Sequence, residues 1–160
     1  WFQGADLKNN PRNFLEWYQK NITTLSDSDK QEFIQCVNDK HFLKNMEMTD
    51  LTAMFNDIID KSIKEILPYL DISDWDTSSV TIMDDMFSDN GDIPFNPDIS
   101  RWDVRKVIDM DYMFMSNNFF NQDISGWTLN PNVTYKDMFD GAKIMNPNYT
   151  PIVHIPVTSE

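Results

Sequence analysis

Between residues 68 and 139 the apolar positions change period in every stretch of about 25 residues. Leu70 and Ile72 alternate with Asp71 and Ser73, as a short strand would. Val80, Met83, Met86 and Phe87 then step by three and four, as one face of a short helix would, and Val107, Met110, Met113 and Phe114 repeat that step. Each unit therefore reads strand, turn, helix. A unit this small cannot close a core alone, so it must lay its Ile, Trp, Val, Met and Phe against those of the next. The expected fold class is an α/β repeat solenoid, a leucine-rich-repeat-like stack of short parallel strands and short helices with an N-terminal helical cap.

The cap is read from periodicity of a different kind. Asn10-Pro11 has the form of an N-cap followed by proline at the first helical position, and Phe14, Leu15, Trp17 and Tyr18 supply an apolar face through about Lys20. Ser28 with Gln31 has capping-box spacing ahead of Phe33, Ile34 and Val37. From Asp50, one stripe runs through Leu51, Met54, Phe55, Ile58, Ile59, Ile63, Ile66 and Leu67 until Pro68 stops it, which predicts a third helix.

The units are repeats in the strict sense. FNPDISRWDVRKVIDMDYMF (95–114) and FNQDISGWTLNPNVTYKDMF (120–139) keep the same Phe, Asn, Asp-Ile-Ser, Trp and Met-Phe, and PYLDISDWDTSSVTIMDDMF (68–87) shares Asp-Ile-Ser, Trp and Met-Phe with them. Met48, Leu51, Met54 and Phe55 match the second half of a unit, giving one degenerate and three clear repeats. In the last, Val133 arrives one place late after Pro131, and Tyr135 falls at the Met110 position. The organisation expected is a tag scar at 1–5 (Trp-Phe-Gln-Gly resembles the end of a cleavable tag), a helical cap at 6–47, repeats at 48–139 and an extended C-terminal cap at 140–160.

Composition narrows the function. The net charge is −13, and residues 71–127 hold twelve Asp against Arg101, Arg105 and Lys106. Such a surface repels phosphate backbones and anionic membranes, which argues against direct nucleic-acid binding. No apolar run approaches the ~20 residues a membrane span needs. Cys36 is the single cysteine, so there is no internal disulfide and no zinc set.

Candidate chemistry is sparse. His41 and His154 are the two histidines, and Cys36 lies beside Val37 on the apolar side of a helix, where a buried thiol is the ordinary reading. Stacking would place Asp71, Asp98 and Asp123 on successive rungs, where hard oxygen ligands suit Ca²⁺. Each offers one carboxylate per unit with no glycine-rich loop, and an Asp accepting backbone N–H bonds explains the recurrence equally well. The same reading covers Ser73, Ser100 and Ser125, and Asn96 and Asn121. No metal, cofactor or catalytic set is assigned, and the expectation is that the protein is not an enzyme.

The pattern Asp-Ile-Ser-x-Trp-Asp-x-x-x-Val-x-x-Met-x-x-Met-Phe, with Phe-Asn-x in front, resembles the BspA-like leucine-rich repeat family over residues 68–139. The resemblance implies a leucine-rich-repeat-like stack and protein binding or adhesion at surfaces. The location it implies is the cell surface or a secreted state. An intracellular, host-directed role, including a virus-encoded one, is the other.

The function expected is a non-catalytic protein-protein interaction module, host- or surface-directed. Its partner-binding residues are sought where outward positions vary on a fixed frame: Asp74, Arg101 and Gly126 before each Trp, and Ser78-Ser79, Arg105-Lys106 and Asn130-Pro131 after it. Asp74, Arg101, Arg105 and Lys106 are the residues chosen. The alternative is an acidic decoy that occupies basic, for example DNA-binding, proteins.

Overall fold

The computed structural model describes residues 11–21, 23–52, 54–55, 65–90 and 93–152. Three helices come first: α1 (Pro11–Asn21), α2 (Asp27–Asn38) and a single turn, α3 (Phe42–Asn45). The capping box of α2 lies two residues before the expected one. Ser26 Oγ accepts the Asp29 N–H at 3.1 Å, and the Ser26 N–H donates to Asp29 Oδ2 at 3.3 Å. Asp27 and Asp29 also place negative charge on the positive end of the helix. Phe14 stacks on Phe33 at 4.9 Å and meets Phe42 edge-on at 5.2 Å, which draws the three helices together.

The α/β solenoid expected from the sequence is not what forms. Among the described residues there is no β-strand, no sheet and no repeat helix. Neighbouring units share one isolated parallel bridge each: Asp50 with Ile82, Ile82 with Asp109, and Asp109 with Thr134. The alternation around Ile72 marks a turn, because Asp71 Oδ1 accepts both the N–H and the hydroxyl of Ser73 and so takes the donor a ladder would use.

The helix expected over Val80–Phe87 fails for a backbone reason. Asp85, Tyr112 and Asp137, each directly before Met-Phe, have φ of 57°, 59° and 48°, and Asp89, Ser116 and Gly141, four residues on, are also left-handed. A left-handed residue reverses the winding, so apolar side chains can recur at three and four without a helix. Backbone donors are then split between two uses. Met86, Met113 and Met138 donate to carbonyls three residues back, while Asp85 and Phe87 donate across to Asp111 and Met113 of the next unit at 3.0 and 2.9 Å. Neither pattern is the i→i−4 ladder of an α-helix.

Of the predicted third helix, residues 56–64 lie outside the described residues. Its start, Leu51 to Phe55, is non-helical where described, and Leu67–Tyr69 is a 3₁₀ turn. In the expected extended C-terminal cap, Pro147–Tyr149 is a 3₁₀ turn and no strand forms before residue 153, beyond which the segment lies outside the described residues.

The units nevertheless pack in register. Phe55, Phe87, Phe114 and Phe139 stack with ring centroids 5.6, 5.6 and 5.3 Å apart and planes within 12°. Trp75 and Trp102 stack at 6.0 Å, and Phe42 of α3 continues that column at 5.6 Å from Trp75. Trp75, Trp102 and Trp127 are all buried, and each indole N–H donates to a carbonyl one step back: Val37, Ile72 and Ile99, at 2.7, 2.9 and 3.0 Å. Val37 lies near the end of α2, where helix carbonyls lack internal partners, so the helical segment takes the place of a preceding unit.

Trp102→Phe keeps an aromatic ring but deletes the donor to Ile72. It is expected to cost about 1–2 kcal/mol in urea-induced unfolding. An unchanged midpoint would mean the indole hydrogen bond adds nothing.

Candidate functional site

Two of the four sequence-selected residues, Asp74 and Arg101, meet at the junction of the helices with the first two clear repeats, and Arg105 and Lys106 do not line the groove beside them. The Asp74 and Arg101 positions, each one residue before a buried Trp, face each other across the unit boundary, with Arg101 Nη2 at 2.7 Å from Asp74 Oδ1. A polar groove of about 350 Å³ opens beside them, bordered by Lys40, Ser73, Asp76, Ser78 and Asp103 and floored by Trp75. Lys44 of α3 reaches Asp76 at 2.7 Å, and the Asp76 N–H donates to the Lys40 carbonyl at 2.8 Å. This clamps the helical segment onto the repeats and sets one wall of the groove.

Arg105 turns back on its own loop. Its Nε and Nη2 donate to the two oxygens of Asp103 at 2.9 and 2.8 Å, a fork that holds the Asp103 carboxyl below the usual carboxylate range. Lys106 is exposed beside it. The basic island is therefore two arginines paired with carboxylates of the same chain plus one exposed lysine. Exposed pairs of this kind contribute about 0–1 kcal/mol and can exchange for a partner's groups.

The aspartate column has a structural occupation. Oδ1 of Asp71, Asp98 and Asp123 each accepts the N–H and hydroxyl of Ser73, Ser100 and Ser125, and these bonds lower all three carboxyl pKa values. Asp76 repeats the motif with Ser78; Lys44 first, then Ser78, holds its carboxyl well below the ordinary range. Asn96 and Asn121 behave in kind: the Asn121 N–H donates to Asn96 Oδ1 at 2.8 Å and the Asn146 N–H to Asn121 Oδ1 at 2.9 Å.

The remaining titratable candidates do not converge. Cys36 is half-buried, and burial, reinforced by Asp39 and Glu32, pushes its thiol up to about 11, so it stays protonated near neutrality. His41 is exposed, with its backbone N–H on Asp39 Oδ1. His154 lies outside the described residues.

Asp84 gives no acid-base signal in the sequence, since it is adjacent to Asp85 and adjacent carboxylates on a helix would lie on different sides. In the structure Oδ1 of Asp84 is buried without a hydrogen-bond partner. Burial, then Asp109, Asp85, Asp111 and Asp50, pushes its carboxyl up to about 6. A raised folded pKa means the group opposes folding increasingly as pH rises from about 4 through 6. Asp84→Asn is therefore expected to stabilise the protein by about 1 kcal/mol at pH 7.5, after allowance for partial solvent access, and by almost nothing at pH 4.5. Urea titrations at the two pH values check this; equal effects at both would remove the assignment.

A further repeat start follows the third clear repeat. Met145-Asn146-Pro147-Asn148-Tyr149-Thr150 stands in the register of Phe95-Asn96-Pro97-Asp98-Ile99-Ser100 with Asn and Pro identical, Met145 is buried, and the Asn146 N–H reaches Asn121 Oδ1 as that of Asn121 reaches Asn96 Oδ1. Ile152 then stands where Trp102 and Trp127 stand. No helix of the described residues is long and apolar enough to cross a membrane.

A protein-family model described as "Mycoplasma protein of unknown function, DUF285" matches residues 28–152, well over half of the chain. No curated protein and no solved structure matches.

Proposed function

We propose, for a chain that belongs to this family of mycoplasma proteins of unknown function, DUF285, a non-catalytic protein-binding role centred on the groove beside Asp74 and Arg101. The finer kinship, with BspA-like repeat proteins that bind partners at surfaces, rests on the Asp-Ile-Ser-x-Trp and Met-Phe signature and belongs to the same proposal. The observation that carries it is a change of outward chemistry on a constant frame. The three Trp residues are buried alike, while the residues before them are Asp74, Arg101 and Gly126, and the loops after them pair Asp76 with Ser78 but Asp103 with Arg105. A repeat scaffold specifies partners in this way.

The test compares wild type with Arg101→Glu/Arg105→Glu/Lys106→Glu in capture from host extract at low salt and at about 0.5 M salt, where exposed charges are strongly screened. The residues exchanged are exposed and two of them lose an exposed ion pair, so stability should move by no more than about 2 kcal/mol, which urea unfolding of the variant checks. Expected is one defined protein, held by the wild type at both salt levels and lost from the variant. Capture of polybasic proteins that salt abolishes would favour the acidic decoy, and equal capture by both chains would remove the groove from the proposal.

A further inference from the structure

The line of parallel bridges between units is also a line of carboxylates. Asp50, Ile82, Asp109 and Thr134 occupy the bridge position, and Thr52, Asp84, Asp111 and Lys136 lie two residues further on. Most of these acids serve the backbone. Asp50 Oδ1 accepts the Thr52 N–H at 2.8 Å, Asp109 Oδ1 the Asp111 N–H at 2.9 Å, and Asp111 Oδ1 the Lys136 N–H of the next unit at 2.8 Å. In the same register Asp84 should accept the Asp111 N–H. That donor is already bonded to Asp109, and Asp84 Oδ1 is left buried without a partner. The third unit escapes the competition: Thr134 stands in the place of Asp109 and turns its hydroxyl back to the Ile108 carbonyl and to Asp109, which leaves the Lys136 N–H to Asp111.

The groups that face Asp84 add charge to this shortage of donors. Asp109 and Asp111 act on it from the second clear repeat and Asp50 from the degenerate one, while Asp85 adjoins it in its own turn, with Oδ1 accepting the Ser88 hydroxyl. Among the described residues none of Asp50, Asp84, Asp109 and Asp111 is held in an ion pair. Lys136, the cation of that column, lies one unit further on with Nζ over the Tyr112 ring at 5.8 Å. A carboxylate oxygen shut away from water among other carboxylates favours taking up a proton, after which it is a donor facing acceptors.

We infer that Asp84 is a proton-operated latch across the boundary between the first and second clear repeats: as an acid it donates to the Asp109 carboxylate and holds the two units together, and as a carboxylate it is repelled by Asp109 and loosens them. The proton comes from solvent and returns to it. Burial and the neighbouring acids push the Asp84 carboxyl up to about 6. The closed boundary therefore binds the proton more tightly than the opened one, so closure gains as pH falls through about 6 and levels off near the ordinary carboxylate value of about 4. The acceptor matters as much as the proton, because an O–H donated to a carboxylate is among the stronger hydrogen bonds.

The test is NMR of the isotope-labelled chain 1–160 between pH 4 and pH 8. The Asp84 carboxyl carbon should titrate with a midpoint near 6. The N–H groups of Asp85, Phe87 and Asp89 donate across the latched boundary, and those of Tyr112, Phe114 and Ser116 across the next one. After correction for intrinsic exchange, protection of the first set should rise about tenfold from pH 7.5 to pH 5.0, while the second set stays within about twofold. Asp109→Thr, which copies the third unit, should hand the Asp111 N–H to Asp84, and Asp84→Asn should keep a donor in place at every pH. In both variants the tenfold rise should vanish. An Asp84 carboxyl that titrates at or below about 4 would overturn the proposal, as would an equal rise at both boundaries, which would make the effect global. So would Asp109→Thr with the pH dependence of the wild type. The first two readings use the unaltered chain, so the latch can fail whether or not a variant folds.

Discussion

Phe114→Ala is expected to lower the unfolding free energy by about 4 kcal/mol. Phe114 is wholly buried between Phe87 at 5.6 Å and Phe139 at 5.3 Å, with Phe120 stacked against it at 4.1 Å. Truncation removes the ring from water-free packing on three sides and leaves a gap in the middle of the column. The neighbours cannot close it, because backbone bonds hold the units on either side in register: Phe87 N–H to Met113 O and Phe114 N–H to Met138 O. Phe114→Leu, which retains most of the volume, should lose about 1–2 kcal/mol, and Ile108→Ala, at an exposed position, less than about 0.5 kcal/mol. Urea denaturation followed by fluorescence of the buried Trp75 and Trp102 orders the three. If Phe114→Ala fell within about 1 kcal/mol of Ile108→Ala, the column would not be a packed core.

The contrast between what the sequence displayed and what it hid follows from which interactions leave a side-chain signature. The indole and phenyl columns could be read because stacking demands the same bulky residue at the same place in every unit, and Trp102 and Phe114 recur with their neighbours. The secondary structure could not. A step of three and four is shared by an α-helix and by a turn reversed at Asp85, Tyr112 and Asp137, and only the backbone angle separates the two. Asp adopts that angle more readily than Tyr, so Tyr112 concealed the position that Asp85 and Asp137 disclose. Likewise Ile72 between two polar residues suggests a strand until Asp71 is seen to take the backbone donors of its own turn.

The candidate site was legible in the same partial way. Arg101 and Asp74 could be paired in advance, since equal distance from successive Trp residues puts them on one column. The groove beside them could not, because Lys40 and Lys44 come from the helical segment, and nothing local announces that the Val37 carbonyl will receive an indole from Trp75. The offset of the α2 cap has a simpler origin. Ser26-Asp-Ser-Asp contains two serines, and the choice between them is decided by Asp29 reaching back to the Ser26 N–H.

The least visible determinant is Asn117, and its removal carries the second large expected effect. The side chain is 2% exposed and bonded at both ends: Nδ2 donates to the Phe87 carbonyl at 2.9 Å, while Oδ1 accepts the N–H groups of Phe119 and Phe120 at 2.9 and 2.8 Å. One amide thus joins the first clear repeat to the second and shapes the connection into the third. Asn90, one unit earlier, is also buried but with the two ends exchanged: Nδ2 donates within its own loop to the Ile93 carbonyl at 3.0 Å, and Oδ1 accepts the Asn118 N–H of the next unit at 3.4 Å. Asn117→Ala strands two backbone donors and removes a bond from a buried carbonyl, so the expected loss is about 3–5 kcal/mol, more than the removed volume would give. Asn117→Asp retains the acceptor but opposes a carboxylate to the Phe87 carbonyl. It should lose about as much at pH 7.5 and regain part of the difference from wild type near pH 5, as the buried carboxyl takes up a proton and can donate again. Amide exchange separates this account from general weakening. The Phe119 and Phe120 amides should accelerate far more than those of Phe87 and Phe114 in the alanine variant, and uniform acceleration across the core would show that Asn117 is space-filling only.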